Sequence, residues 1–210
     1  HSANDYFSVL GQLQAFAASS TTALVRVEWN DAVAVKRLLD LGTPGLLFPM
    51  IQSVEEAEKA VAATRYPPRG IRGVSGATRA TAFGRITDYV ARVEEETAVL
   101  LQLETRAAVE QAEAIGAVEG VSGIFFGPAD IAADIGKLGK PLDPEVWALI
   151  KPAAQKLIAK GMPVGTLVTD PGFAAELLNE GFTFVAIATD TGLLARAADA
   201  ALAQTKGALT

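Results

Sequence analysis

The strongest constraint on the fold is an alternation of short apolar runs with amphipathic helical stretches from residue 22 onward. The six runs lie at 22–27, 45–51, 98–103, 121–127, 163–168 and 182–188. Such an alternation is what a parallel sheet with crossover helices requires. No glycine-rich dinucleotide-binding fingerprint accompanies these units. We therefore predict an α/β fold of the (β/α)8 TIM-barrel class rather than an open doubly wound sheet.

The same pattern predicts how the domain begins. An eight-stranded barrel needs two strands more than the six runs provide. Residues 5–17 already have a helical pattern, with one apolar face formed by Val9, Leu10, Leu13 and Phe16, so the chain begins as if just after a strand. With 50% apolar residues, 210 residues can bury one sizeable core. We expect residues 1–210 to form a single barrel domain that is incomplete at its N-terminus.

The stretch 65–85 interrupts the alternation. It contains two prolines and five arginines and is longer than an ordinary connection within a compact domain. We expect an ordered active-site loop.

Composition narrows the partners and the compartment. The net charge is -6, with 18 basic and 24 acidic residues and no basic block, which predicts neither a nucleic acid nor a membrane partner. The chain has no cysteine, so disulfides and thiolate metal sites are excluded, and a cytoplasmic location is expected. No apolar run approaches the roughly 20 residues that span a bilayer.

Two polar residues stand out at the end of the third run. Gln102 and Glu104 share one face of the predicted strand, because side chains alternate, whereas Leu101 and Leu103 face the other way. A buried carboxylate needs a cation, an arginine or a proton. Glu104 is therefore a candidate metal ligand, or else it pairs with Arg106 or caps a helix.

A second carboxylate follows the next run. The sequence Gly127-Pro-Ala-Asp130 leads from an apolar strand into a helix whose first turn accepts a proline. The backbone N–H groups of Ala129 and Asp130 would suit a substrate carboxylate. Asp130 is either an acid favoured by the helix dipole or, with Glu104 on the neighbouring strand, an oxygen ligand for Mg²⁺ or Mn²⁺.

Missing residue types narrow the chemistry further. The only histidine is His1, so the chain cannot assemble a zinc site from several imidazoles. No lysine falls in a strand run, where a barrel Schiff-base lysine is expected. A divalent metal then becomes the most economical electrophile, polarising a 2-oxo acid that chelates it through keto and carboxylate oxygens.

Two further residues are candidates for chemistry. Arg26 ends the first run and could place a positive charge beside a developing enolate oxygen, or could pair with an acid such as Glu28. His1 could transfer a proton near neutral pH, or could be an expression-tag remnant.

Five ordered motifs resemble the HpcH/HpaI family of class II pyruvate aldolases. They are His1-Ser-Ala-Asn, Arg26-Val-Glu-Trp-Asn-Asp31, Arg65-Tyr-Pro-Pro-Arg-Gly-Ile-Arg-Gly-Val74, Gln102-Leu-Glu-Thr-Arg106 and Gly127-Pro-Ala-Asp130. The resemblance covers nearly the whole chain. Members of the family carry about two further strands and a helix before this histidine, in keeping with a chain that is incomplete at the front.

The resemblance implies a role for each candidate residue. Glu104 and Asp130 match the metal ligands, for Mg²⁺, Mn²⁺ or Co²⁺, and Arg26 matches the arginine that stabilises the enolate. The substrate contacts match Gln102, the backbone of Ala129 and Asp130, and Leu167 at the aldehyde pocket. His1 matches the catalytic base, and Asp40 matches an aspartate that assists this histidine from a neighbouring subunit. A homo-oligomer, a hexamer in the family, is therefore implied.

The expected reaction is reversible aldol cleavage of a 4-hydroxy-2-oxo acid. The products would be an aldehyde and pyruvate, or a related 2-oxo acid such as hydroxypyruvate. An acyl-CoA lyase of the same superfamily remains an alternative, because the arginines of 65–85 could bind such a substrate. A non-catalytic barrel with structural ion pairs is the second alternative.

Overall fold

The computed structural model describes residues 2–208. Six strands are present, namely β1 Val25–Arg26, β2 Gly45–Phe48, β3 Ala98–Leu103, β4 Gly123–Phe126, β5 Val164–Leu167 and β6 Phe184–Ala186. The α-helices are α1 Tyr6–Phe16, α2 Ala32–Asp40, α3 Val54–Thr64, α4 Tyr89–Glu96, α5 Arg106–Glu110, α6 Ala112–Gly116, α7 Pro128–Asp134, α8 Pro144–Ala159, α9 Pro171–Asn179 and α10 Asp190–Gly207. Arg79–Thr81 forms a short 3₁₀ helix.

The strands form one curled, all-parallel sheet. Their spatial order, β1-β2-β3-β4-β5-β6, is the order of the sequence. A doubly wound sheet would reverse direction at a switch point, whereas a barrel adds each strand beside the last. The predicted six-strand α/β rhythm is confirmed. Closure into an eight-stranded barrel stays a prediction, since the described residues form six strands.

The two faces of β3 have different surroundings. Leu101 and Leu103 are fully buried and belong to the continuous core that includes residues of the surrounding helices. Gln102, between them, lies on the opposite face, as the alternation of side chains along a strand requires. The helices thus cover the outside of the curl, and the polar side chains of β3 face its inside.

Side chains cap the start of several helices. The Asp31 side chain accepts hydrogen bonds from the first turn of α2. Ser53 caps α3 in the same way. Among residues 2–208, no helix combines the length and apolar character needed to cross a membrane.

The stretch 65–85 packs against the C-terminal end of α2. Arg72 donates to the Asp40 carboxylate, and Arg79 Nη1 donates to the carbonyl of Leu41. These contacts attach the stretch to α2, whereas its role as an ordered active-site loop stays a prediction. The following helix, α4, was not predicted from the sequence.

Candidate active site

The candidate site lies where the first four strands end. Arg26 is the last residue of β1, Glu104 directly follows β3, and Asp130 lies in the first turn of the helix after β4. Met50 follows β2 by two residues. Because parallel neighbours end at the same edge of a sheet, residues more than a hundred positions apart in sequence reach one place.

A short chain of hydrogen bonds connects these residues. Arg26 Nε donates to Gln102 Oε1 over 3.2 Å, and Gln102 Nε2 donates to Glu104 Oε1 over 2.8 Å. The backbone N–H of Met50 donates to the other carboxylate oxygen of Glu104 over 2.6 Å. Both oxygens of Glu104 are therefore held in place, one by a donor on β3 itself and the other by a backbone donor in the segment after β2.

Glu104 is a carboxyl group in an unfavourable place for charge. It is 3% exposed, and burial raises its pKa to about 7. The Met50 hydrogen bond opposes this rise, while a hydrogen bond with the Asp130 carboxyl and its negative charge increase it; the charge of Arg26 lowers the pKa again. Two carboxyl groups in such contact share a proton or hold a cation between them.

Gly127 makes room for this arrangement. A Cβ atom at Gly127 would lie 2.8 Å from Cγ of Glu104 and 3.2 Å from Nε2 of Gln102. Cβ atoms in proteins almost never lie within 3.0 Å of such an atom. Any larger residue at position 127 would therefore displace the Glu104 side chain. The glycine is needed for close approach, since its φ of -98° is open to all residues.

Met50 has an unusual backbone conformation. Its φ is +53°, in the left-handed region that non-glycine residues rarely adopt. That conformation turns its N–H toward Glu104. Sequence reasoning missed Met50, and no sequence signal marks it, because a backbone donor does not depend on side-chain identity.

The donor set fits a hard divalent cation. Glu104 and Asp130 supply carboxylate oxygens in mutual contact, and oxygen ligands are what Mg²⁺ and Mn²⁺ prefer. Within residues 2–208, no group of three or more His, Cys, Asp or Glu side chains could hold a metal. The rest of a coordination sphere would therefore come from water and a chelating substrate.

The alternatives weighed for Glu104 do not describe its contacts. Thr105, not Glu104, caps α5. The Arg106 side chain forms no ion pair with Glu104 among the described residues, and Glu104 instead contacts Gln102, Met50 and Asp130. Asp130 is both an early-turn acid and a contact of Glu104.

The other predicted site residues are placed as follows. Ala129 is exposed beside Asp130, in the first turn of the seven-residue helix α7. Leu167 ends β5 and is 38% exposed. Asp40 ends α2, away from the strand ends, and pairs with Arg72. His1 lies outside the described residues.

A cavity of about 700 Å³ lies between α1, β1 and α2. Arg26 lines this cavity, but neither Glu104 nor Asp130 does. The cavity is therefore adjacent to the carboxylate pair rather than centred on it, and Arg26 connects the two.

Several known proteins are similar to this chain over nearly all of its length. The HpcH/HpaI aldolase/citrate lyase family profile matches residues 2–197. A pyruvate aldolase of Rhizobium etli is 49% identical over 97% of this chain and 80% of its own length. A 4-hydroxy-2-oxo-heptane-1,7-dioate aldolase of Shigella flexneri is 47% identical over 97% of this chain and 77% of its own.

A solved structure agrees with these sequence matches. A HpcH/HpaI aldolase/citrate lyase family protein of Burkholderia cenocepacia superposes with a TM-score of 0.90 at 35% identity, covering 98% of this chain and 82% of that one. Sequence and fold thus agree over nearly the whole length. The chain belongs to the HpcH/HpaI aldolase/citrate lyase family.

Proposed function

We propose that this protein is a metal-dependent aldolase that reversibly cleaves a 4-hydroxy-2-oxo acid into an aldehyde and pyruvate or a related 2-oxo acid. The observation that carries the proposal is the contact between the buried Glu104 and Asp130, reached by hydrogen bonds from Arg26 through Gln102. The names of the relatives from Rhizobium etli and Shigella flexneri support the same reaction.

Glu104 and Asp130 would hold the divalent cation, Mg²⁺, Mn²⁺ or Co²⁺. When bound, it supplies an electrophile that polarises the 2-oxo group of the substrate. Gln102 keeps Glu104 oriented through its hydrogen bond and presents its amide to the substrate. The backbone N–H of Ala129 faces the substrate carboxylate, and Leu167 contacts the aldehyde portion.

In the cleavage direction, a base removes the proton of the C4 hydroxyl. The C4–O bond becomes a carbonyl as the C3–C4 bond breaks, and the electron pair passes to C3 and the 2-oxo oxygen. Arg26 provides a fixed positive charge for the enolate that results. A proton delivered to C3 completes the 2-oxo acid.

His1 is proposed as the base, assisted by Asp40 of a neighbouring subunit. The pairing would require a homo-oligomer, which the family resemblance implies to be a hexamer. In this arrangement the carboxylate pair activates the donor, and a contact between subunits transfers the proton.

The arginines of 65–85 favour the aldolase over an acyl-CoA lyase. Arg65 and Arg69 pair with Glu94 and Glu119. Arg72 pairs with Asp40, and Arg79 and Arg85 donate to backbone carbonyls. Each arginine already has an acceptor within the chain, which leaves the stretch poorly suited to a polyphosphate substrate.

The test is pyruvate release from a 4-hydroxy-2-oxo acid before and after chelation. We expect chelation to abolish release and Mg²⁺, Mn²⁺ or Co²⁺ to restore it. Glu104→Gln should lower kcat at least about 1000-fold and weaken metal binding measured by calorimetry. Glu95→Gln, on the exposed face of α4, is the matched control. Turnover that resists both chelator and Glu104→Gln would contradict the metal mechanism.

A further inference from the structure

Arg72 is a buried charge in a stretch without long helices or strands. Its side chain is 0% exposed, and its one ion-pair partner among the described residues is Asp40, at 2.8 Å between Nη2 and Oδ1. The same Nη2 lies 3.2 Å from the Tyr89 hydroxyl. A fully buried guanidinium with one carboxylate depends on that carboxylate, because losing it leaves the charge uncompensated.

The rest of the guanidinium is enclosed by aromatic rings. Its Cζ lies 4.7 Å from the ring centroid of Tyr66 and 5.8 Å from that of Tyr89. Nε and Nη1 have no hydrogen-bond acceptor among residues 2–208. The rings therefore fix the plane of the guanidinium but leave two of its nitrogens without acceptors. Buried donors without acceptors lower the free energy of unfolding, so stability alone does not account for this arrangement.

Asp40 gains what Arg72 provides. It is the last residue of α2, where the helix dipole disfavours a negative charge. Arg72 holds Oδ1, while Oδ2 accepts no hydrogen bond from the described residues and the side chain stays 21% exposed. Lys36 lies one turn earlier on α2. Among residues 2–208, it forms no ion pair with Asp40. The orientation of the carboxylate thus rests on Arg72.

We infer that Arg72 is a positioning residue, which holds the Asp40 carboxylate in one orientation through Oδ1 and leaves Oδ2 to the proton transfer proposed for Asp40. This inference rests on the proposed function, because it needs Asp40 to take part in proton transfer. The ring faces of Tyr66 and Tyr89 keep the guanidinium in one plane, and Arg72 in turn keeps the acceptor in one place.

A double-mutant cycle tests the inference on the intact protein. Asp40→Asn should lower kcat about 100-fold, and Arg72→Gln about 10-fold, with KM and metal affinity each within twofold of the wild type. Because Arg72 acts through Asp40, Arg72→Gln should cause no further loss in the Asp40→Asn background. Additive losses, or a loss expressed mainly in KM, would overturn the positioning role.

Arg79→Met is the matched control. Arg79 also fastens 65–85 to the end of α2, through the Leu41 carbonyl at 2.5 Å, but does not contact Asp40. Its substitution should leave kcat within twofold even if the melting temperature falls. Equal kcat losses in the Arg79 and Arg72 variants would show that docking of the stretch is the cause and would overturn the inference.

A second substitution covers a failure to fold. If Arg72→Gln does not yield folded protein, Arg72→Lys keeps the charge but loses the planar fork, and kcat should fall at least threefold at unchanged KM. Unchanged kcat in a folded Arg72 variant would overturn the positioning role.

The outcomes separate this inference from the function on which it rests. Chelator-sensitive cleavage with full kcat in Asp40→Asn would overturn the positioning role and leave the proposed reaction intact. Absence of chelator-sensitive cleavage in the wild type would overturn the proposed function and the positioning role with it.

Discussion

The central strands of the sheet, β3 and β4, are more completely buried than the last strand, β6, and the helix α10 that follows it. In β3, every residue from Val99 to Leu103 is buried, and all of β4 is buried. In β6, by contrast, all three residues are half-buried, and none of the 18 residues of α10 is buried. The candidate carboxylates are attached to the covered region. Glu104 and Asp130 thus follow the most tightly packed strands, where the surrounding side chains restrict their motion most.

The largest expected effect tests whether the middle is the more stable region. Leu101 is 0% exposed, so Leu101→Ala should lower the free energy of unfolding by about 3.5 kcal/mol through lost burial and the cavity left behind. Urea denaturation measures the change. A loss under about 1 kcal/mol would mean that β3 is less tightly packed than its burial indicates.

The second prediction separates chemistry from packing. Arg26 is half-buried on the edge strand β1 and donates to Gln102. Arg26→Ala should lower kcat about 100-fold, equivalent to about 2.7 kcal/mol, because a fixed charge near the enolate is lost. The free energy of unfolding should change by less than about 1 kcal/mol. Equal losses in kinetics and stability would assign Arg26 a structural role.

A smaller effect tests the spacing between β3 and β4. Gly127→Ala would bring a methyl group to 2.8 Å from Glu104 Cγ, and the displaced carboxylate should lower kcat roughly 10-fold. Steady-state kinetics with saturating metal measures it. Gly11→Ala is the control, because a Cβ at Gly11 has nothing within 4 Å, and it should leave kcat unchanged. Full activity in Gly127→Ala would show that Glu104 tolerates movement.

The smallest effect is expected at the C-terminal end. Leu194 on α10 is 74% exposed, so Leu194→Ala should change the free energy of unfolding by less than about 0.5 kcal/mol. Thermal and urea unfolding are the measurements. A cost near that of Leu101→Ala would contradict the contrast between the regions and would indicate that another chain covers this helix.

Much of the architecture was accessible from local pattern. The bounds of β3 match the predicted run 98–103, and each of the other five predicted runs contains one strand of the sheet. Helix α4 was missed, because it follows the irregular 65–85 stretch and has one buried residue, Val93. At eight residues, α4 is also shorter than the window over which apolar periodicity marks a helix.

The candidate site divides in the same way. The shared face of Gln102 and Glu104 followed from the two-residue period of a strand and is confirmed by their hydrogen bond. The pairing of Arg72 with Asp40 was not foreseen, since 32 residues and a change of element separate them. Nor could any pattern identify the donor at Met50, whose backbone conformation depends on its surroundings.

The sequence by itself determined the six strands, their order and the residue types available for chemistry, because propensity and periodicity act over a few residues. Only the tertiary structure decided that Glu104 contacts Asp130, that Arg26 reaches them through Gln102, and that Arg72 is buried against Asp40. These contacts join distant residues through parallel strand ends and packed segments. Their energies come from burial and from charges brought together, which exist only once the chain has folded.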